Sequence, residues 1–83
     1  MYEIEFTNKA VKNLKKIDSK YQKLIIEKLE VLAQNPAKGV NIKPLIGTIY
    51  HRLRVADYRV IYELQNNELI ILVIDINHRK DIY

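Results

Sequence analysis

The chain has 83 residues, with 14 Lys and Arg against 10 Asp and Glu, no Cys, no Trp, two Gly and two Pro. That length is one domain, residues 1–83, whose core must be small because a chain this size buries only roughly 60–65% of its unfolded surface. The composition excludes a disulfide scaffold, a Cys-based zinc site, a Cys nucleophile and any collagen-like or low-complexity class, while a net charge of +4 suits an anionic partner without naming one.

The chain opens MYEIEF, which lacks the basic-then-apolar order of a signal peptide. Its longest apolar run, Leu69–Ile74, is far short of the ~20 residues of a membrane span. A soluble, cytoplasmic protein with no membrane partner is expected. Tyr2, Ile4 and Phe6 alternate with Glu3 and Glu5, which predicts a short strand with one solvated face. Thr7 or Asn8 can cap a first helix, in which Ala10, Val11, Leu14 and Ile17 recur at three and four while Lys9, Lys12, Lys15 and Lys16 take the other faces. Asp18 and Ser19 end it and start a second helix running to about Gln34. The inward side of that helix is read as Tyr21, Leu24, Ile25, the Lys28 stem, Leu29 and Leu32.

Asn35-Pro36 stops the second helix, and residues 35–48, which hold both Pro and both Gly, read as a loop. Ile49–Val55, Tyr58–Leu64 and Leu69–Ile76 then form a β-meander separated by Ala56-Asp57 and by residues 65–68. The last run is apolar almost throughout, so it is expected to be a central strand covered on both faces. The fold class is α+β: a two-layer β-α-α-β-β-β arrangement, with an N-terminal helix hairpin packed on an antiparallel sheet.

Charge type separates along the chain. Nine of the ten Lys lie in residues 1–43, whereas Arg52, Arg54, Arg59 and Arg79 all lie in residues 52–79. Lys is a mobile point charge, but Arg is a rigid fork that matches phosphate oxygens in pairs. A two-residue loop at Ala56-Asp57 would pair Val55 with Tyr58, Arg54 with Arg59, Leu53 with Val60 and Arg52 with Ile61. Strand alternation then puts Leu53, Val55, Tyr58, Val60 and Tyr62 on a helix-facing side. Tyr50, Arg52, Arg54, Arg59 and Ile61 fall on the other, and His51 falls opposite the arginines. Like charges opposed across strands repel. A cost retained in the folded state suggests a use, and clustered Arg forks suit a phosphate chain. The pairing is open at one point: Ala56 is a poor residue for a type I′ turn, and a bulge there would turn Arg54 over.

The chain closes His78-Arg79-Lys80-Asp81-Ile82-Tyr83. Two cations, an imidazole and a phenol match what RNA cleavage by 2′-hydroxyl attack demands: a base, cations around the pentavalent phosphate and an acid for the departing 5′ oxygen, with no metal and no cofactor. Tyr50, Tyr58 and Tyr83 offer rings on which bases stack.

Three segments, LKKIDSKYQKLIIEKLEVLAQNP, YHRLRVADYRVIYEL and INHRKDIY, together make the chain resemble the RelE-type toxins of the RelE/ParE superfamily over nearly its whole length. The resemblance implies the toxin of a type II toxin–antitoxin pair. Such a toxin enters the A site of the ribosome, on its small subunit, where it cuts mRNA to leave a 2′,3′-cyclic phosphate. A cognate antitoxin blocks it, and DNA is met only through the toxin–antitoxin complex. Carried over by motif, Arg59 would stabilise the phosphate, Arg79 would act at the leaving-group side, Tyr83 would orient or stack the substrate, and Arg52 would match a basic position on its strand. Arg54, Tyr50, His51 and Lys80 would contact RNA. The family's general base is a Lys two positions before Arg52, where this chain has Tyr50, so Tyr50, His51 and His78 all stand as candidates for that role. Two other functions fit the same fold: a ParE-like DNA gyrase poison without RNA chemistry, and an RNA-binding relic that has lost catalysis.

Overall fold

The computed structural model describes residues 1–35 and 50–78 with their side chains and residues 42–44 by their backbone. The elements run β1 (Glu3–Phe6), α1 (Asn8–Lys15), α2 (Ser19–Gln34), β2 (Ile42–Pro44), β3 (Tyr50–Val55), β4 (Tyr58–Gln65) and β5 (Ile70–His78). Five strands form one sheet in the order β1-β5-β4-β3-β2, and α1 and α2 pack together on one of its faces. The layout is α+β in two layers, as the alternation of apolar residues implies. No helix among the described residues is long and apolar enough to cross a membrane.

Both helix starts are fixed by the expected caps. The Thr7 hydroxyl accepts from Ala10 N at 3.2 Å, and the Asp18 carboxylate accepts from Lys20 N at 3.2 Å, each satisfying an amide with no partner inside its helix. The core comprises Ala10, Ile25, Leu29, Leu32 and Ala33 from the helices against Leu53, Val55, Val60, Tyr62, Ile71, Val73 and Ile76 from the sheet. Ile25 and Leu29 are fully buried, so truncating either to Ala should cost about 2–5 kcal/mol. Lys28 stays exposed: the inward stripe of α2 turns instead through Leu32 and Ala33, and a helix with that much aliphatic surface needs no Lys stem to complete it.

Three features differ from the expectation of a purely antiparallel meander. First, β1 pairs with β5 in parallel, Glu3 with Ile70 through Phe6 with Val73; the helix hairpin supplies the crossover that a parallel connection requires. Second, residues 42–44, read as loop, are a strand antiparallel to β3, with Lys43 opposite Arg52. A strand ending in Pro44 is tolerated because β2 is at the sheet edge, where no outward N–H is needed. Third, β5 is not the central strand but lies next to the edge strand β1, with β4 at the centre, and no described element covers its second face, on which Ile70 and Leu72 are half-buried beside the exposed Glu3 and Glu5.

The β4–β5 ladder contains a register shift between Ile61 and Tyr62: Ile61 pairs with Asp75 and Tyr62 with Val73, leaving Ile74 unmatched. This bulge reverses the facing of everything beyond it. Ile71 and Val73 point to the helices, and after the shift so does Ile76. β1 has already ended at this level. Its place beside β5 is taken by the start of α1, through Thr7 N to Val73 O at 3.0 Å and the Thr7 hydroxyl donating to Ile74 O at 2.7 Å.

Candidate functional site

The β3–β4 hairpin has the register that a two-residue loop dictates: Val55 with Tyr58, Arg54 with Arg59, Leu53 with Val60, Arg52 with Ile61 and Tyr50 with Glu63. The difficulty at Ala56 is met by conformation, not by a bulge. Ala56 adopts φ of 53°, in the left-handed region the turn requires. The parity therefore holds. Leu53, Val55, Val60 and Tyr62 are buried under the helices, Arg54 is exposed, and Tyr50, Arg52 and Arg59 are half-buried on the opposite face.

Within that face the arginines are held differently. Arg54 Nε donates to Ala56 O at 3.3 Å, which ties its side chain towards the turn. Arg52 Nε is buried and has no hydrogen-bond partner among the described residues. Such a donor costs free energy until something accepts from it. Arg59 has contacts of its own and faces Asn77 of β5 in the register. The rungs around the patch are thus Lys43–Arg52–Ile61 and Arg54–Arg59–Asn77, with Glu63 as the acidic residue nearest along β4.

Neither histidine joins this patch. His51 lies on the helix side and stacks on Tyr62, with ring centroids 5.4 Å apart and planes 17° apart; its Nδ1 is buried without a hydrogen-bond partner among the described residues. The Tyr62 phenol is pushed up to about 12 by burial, so it stays protonated at neutral pH. His78 is turned to the helix side by the bulge and meets Tyr58 edge-on at 5.1 Å and 88°. Of the three general-base candidates, Tyr50 alone shares the arginine face. Arg79, Lys80 and Tyr83 lie outside the described residues.

Two residues near the patch escape a reading by alternation. Lys43 is hidden because residues 35–48 read as loop, although a residue before Pro is biased to extended backbone. Asn77 is hidden by the bulge, which alternation alone does not reveal. Asn77 is positioned by Asp75, whose carboxylate accepts from Asn13 Nδ2 at 2.6 Å, Asn77 Nδ2 at 3.0 Å and Ile76 N at 2.9 Å, and pairs with Lys9 Nζ at 3.1 Å. Burial pushes the Asp75 carboxyl up, but the hydrogen bonds from Asn77, Lys9, Asn13 and the Ile76 amide outweigh it and hold the group below its ordinary 3.8.

The fold is thus a helix hairpin on one face of a five-stranded sheet, with Arg52, Arg54 and Arg59 together on the other face. A family model, the ParE toxin of type II toxin–antitoxin system, parDE, matches residues 4–83, and the chain belongs to this RelE/ParE toxin family. It is 26% identical to a RelE-like toxin protein of Escherichia coli over 99% of this chain and 90% of that one. It is 28% identical to a RelE-type toxin of Methanocaldococcus jannaschii over 100% of this chain and 92% of that one. Among solved structures, the RelB–RelE antitoxin–toxin complex from Methanococcus jannaschii superposes with a TM-score of 0.79 at 28% identity, covering 95% of this chain and 94% of the matched one.

Proposed function

We propose that this toxin is a ribosome-dependent endoribonuclease that cleaves mRNA by 2′-hydroxyl attack and is neutralised by a cognate antitoxin. The observation that carries this reading is the opposed pair Arg54–Arg59 with Arg52 beside it on an open sheet face. In this reaction the 2′ oxygen attacks phosphorus and the P–O5′ bond breaks. The 2′-hydroxyl proton passes to a base and a proton is delivered to the leaving 5′ oxygen, giving a 2′,3′-cyclic phosphate. Charge gathers on the non-bridging oxygens, where pre-placed guanidiniums act most strongly. Arg59 and Arg52 take that role, Arg54 and Tyr50 contact the flanking nucleotides, and Arg79 and Tyr83 complete the set from the tail. Arg keeps its proton, so Arg79 serves as a charge stabiliser. Tyr50 is the base candidate best supported by position, with His51 and His78 facing the helices.

The antitoxin reading is supported by the uncovered sheet face, where Ile61, Ile70, Leu72 and Ile74 are half-buried, and by the toxin–antitoxin complex of the relative described above. An apolar strip bordered by charge is the kind of surface a partner segment covers.

Primer extension on ribosome-bound mRNA tests the enzymatic claim. The protein should produce discrete 3′ ends within the A-site codon, and Arg59→Ala should reduce their rate by about 10²–10³-fold. Uncut mRNA, together with equal growth inhibition by parent and variant, would refute it. A second reading, a DNA gyrase poison, is favoured by Tyr50 standing where a catalytic Lys is otherwise placed; inhibition of supercoiling by the pure protein would select it.

A further inference from the structure

The open face of the sheet carries two kinds of surface side by side. The β3–β4 hairpin presents Arg52, Arg54 and Arg59, whereas the β1–β5 side is acidic and apolar. Tyr2, Ile4 and Phe6 pack against the core, so the alternate residues Glu3 and Glu5 stand on the open face, where both are exposed. Glu3 is in register with Ile70 and Glu5 with Leu72. On the other side of β5, Leu72 is in register with Glu63 of β4. The half-buried Ile70 and Leu72 therefore lie between glutamates from both neighbouring strands. Among the described residues none of these three carboxylates has an ion-pair partner; the ion pair present is Lys9 with Asp75.

This arrangement selects among partners. Three unpaired carboxylates repel a phosphate chain, so nucleic acid is kept to the arginine side. An acidic segment would bury Ile70 and Leu72 only by opposing like charges. A segment with apolar residues along its middle and Lys or Arg on both flanks answers the strip and the glutamates together. Its backbone must be satisfied as well. The N–H and C=O groups of β5 are committed to the ladders with β1 and β4, so an extended segment lying on this face would find no backbone partners, whereas a helix supplies its own. From Ile70 to the level of Ile74 the strand rises roughly 13 Å, which about nine helical residues span. We propose that Glu3, Glu5 and Glu63 set partner choice on this face: they select an amphipathic helix whose apolar stripe runs between cationic flanks, supplied by the antitoxin. The source of the helix rests on the antitoxin reading; the charge preference of the surface does not.

The test is an NMR titration of the full chain, carrying Arg59→Ala to permit expression, with two synthetic helical peptides of about 15 residues. They share one leucine stripe and differ only in its flanks, Lys in one and Glu in the other. The chain is net positive, which by itself favours the Glu peptide, so a preference for the Lys peptide reports the local glutamates. The Lys peptide should shift the Ile70 and Leu72 methyl signals and bind about ten-fold more tightly than the Glu peptide, a factor that a few exposed ion pairs carry. In Glu3→Lys/Glu5→Lys the order should reverse. In Glu3→Gln/Glu5→Gln, which keeps the side-chain shape, the preference should shrink. A single-stranded RNA oligonucleotide should leave both methyl signals in place. Equal binding of the two peptides, Lys-peptide binding that does not move Ile70 and Leu72, or RNA that does move them would each overturn the proposal. In cells, the cognate antitoxin should neutralise the parent chain better than Glu3→Lys/Glu5→Lys. Equal neutralisation of both would overturn the charge selection and leave the antitoxin reading intact, whereas neutralisation of neither would remove the antitoxin as the source of the helix.

Discussion

Arg54 and Arg59 are directly opposed across the β3–β4 hairpin, and apart from Asp57 in the turn there is no acid between Tyr50 and Ile61. Opposed like charges cost a hairpin stability, roughly 0.2–1 kcal/mol per pair. Removing one charge should therefore separate folding from function. Arg54→Thr, which keeps a good strand former in place, is expected to raise the melting temperature by a few degrees while weakening RNA affinity and its salt dependence. Thermal unfolding and binding at two salt concentrations check both. A variant that loses stability would show that the pair is compensated by contacts stronger than the repulsion.

The same hairpin stores strain at its tip. Ala56 has φ of 53°, a conformation that costs a residue with a Cβ roughly 1–2 kcal/mol. Gly has no such cost in the folded state, although it loses more chain entropy on folding. Ala56→Gly is expected to stabilise the protein by up to about 1 kcal/mol with the cleavage rate unchanged, because the residue only sets the register. Leu69, at φ of 56°, should respond in the same direction. Denaturant titration of each variant gives the answer, and a drop in midpoint would mean the turn is not the strained element.

What alternation could reveal ended where alternation ended. The hairpin from Tyr50 to Tyr62 obeys a period of two, so its two faces follow residue by residue once the loop has two residues; the sequence left that open at Ala56, whose φ of 53° admits the two-residue turn without a bulge. Caps at Thr7 and Asp18 were legible because each is a short polar side chain just before an amphipathic run. The bulge at Ile74 carries no sequence mark within LIILVIDI, since the residues leading up to it are apolar on both parities. That hid the facing of His78 and the role of Asn77. The parallel pairing of β1 was equally hidden, because pairing partners are decided by how the helix hairpin returns the chain and not by the composition of MYEIEF.

Asp75 links the bulge to α1, and its titration should be visible in stability. Its folded-state pKa is held below 3.8, so between the unfolded and folded values the unfolded chain binds more protons. The stabilising contribution is therefore complete above about pH 4 and is lost as pH falls through the folded value. Asp75→Asn should lower stability at neutral pH, since Lys9 loses its partner and one acceptor becomes a donor, and it should flatten the acid limb below about pH 4. Unfolding free energies measured across the acid range up to neutrality for parent and variant check this. Parallel curves would show that Asp75 is not the group responsible.

Tyr62 makes the opposite prediction at the alkaline end. It is 1% exposed, stacks under His51, and burial raises its phenol from 10.0 to about 12. A folded pKa above the unfolded value means the native state holds its proton longer. The contribution is thus present below about pH 10 and declines as pH rises towards 12. Ultraviolet difference titration should show a late tyrosine ionisation, coinciding with loss of near-ultraviolet dichroism as the core opens. In Tyr62→Phe that late step should vanish, and stability should stay level from about pH 10 upward until other groups titrate. A late step that persists in the variant would assign it to another tyrosine and remove the buried phenol as the cause of alkaline unfolding.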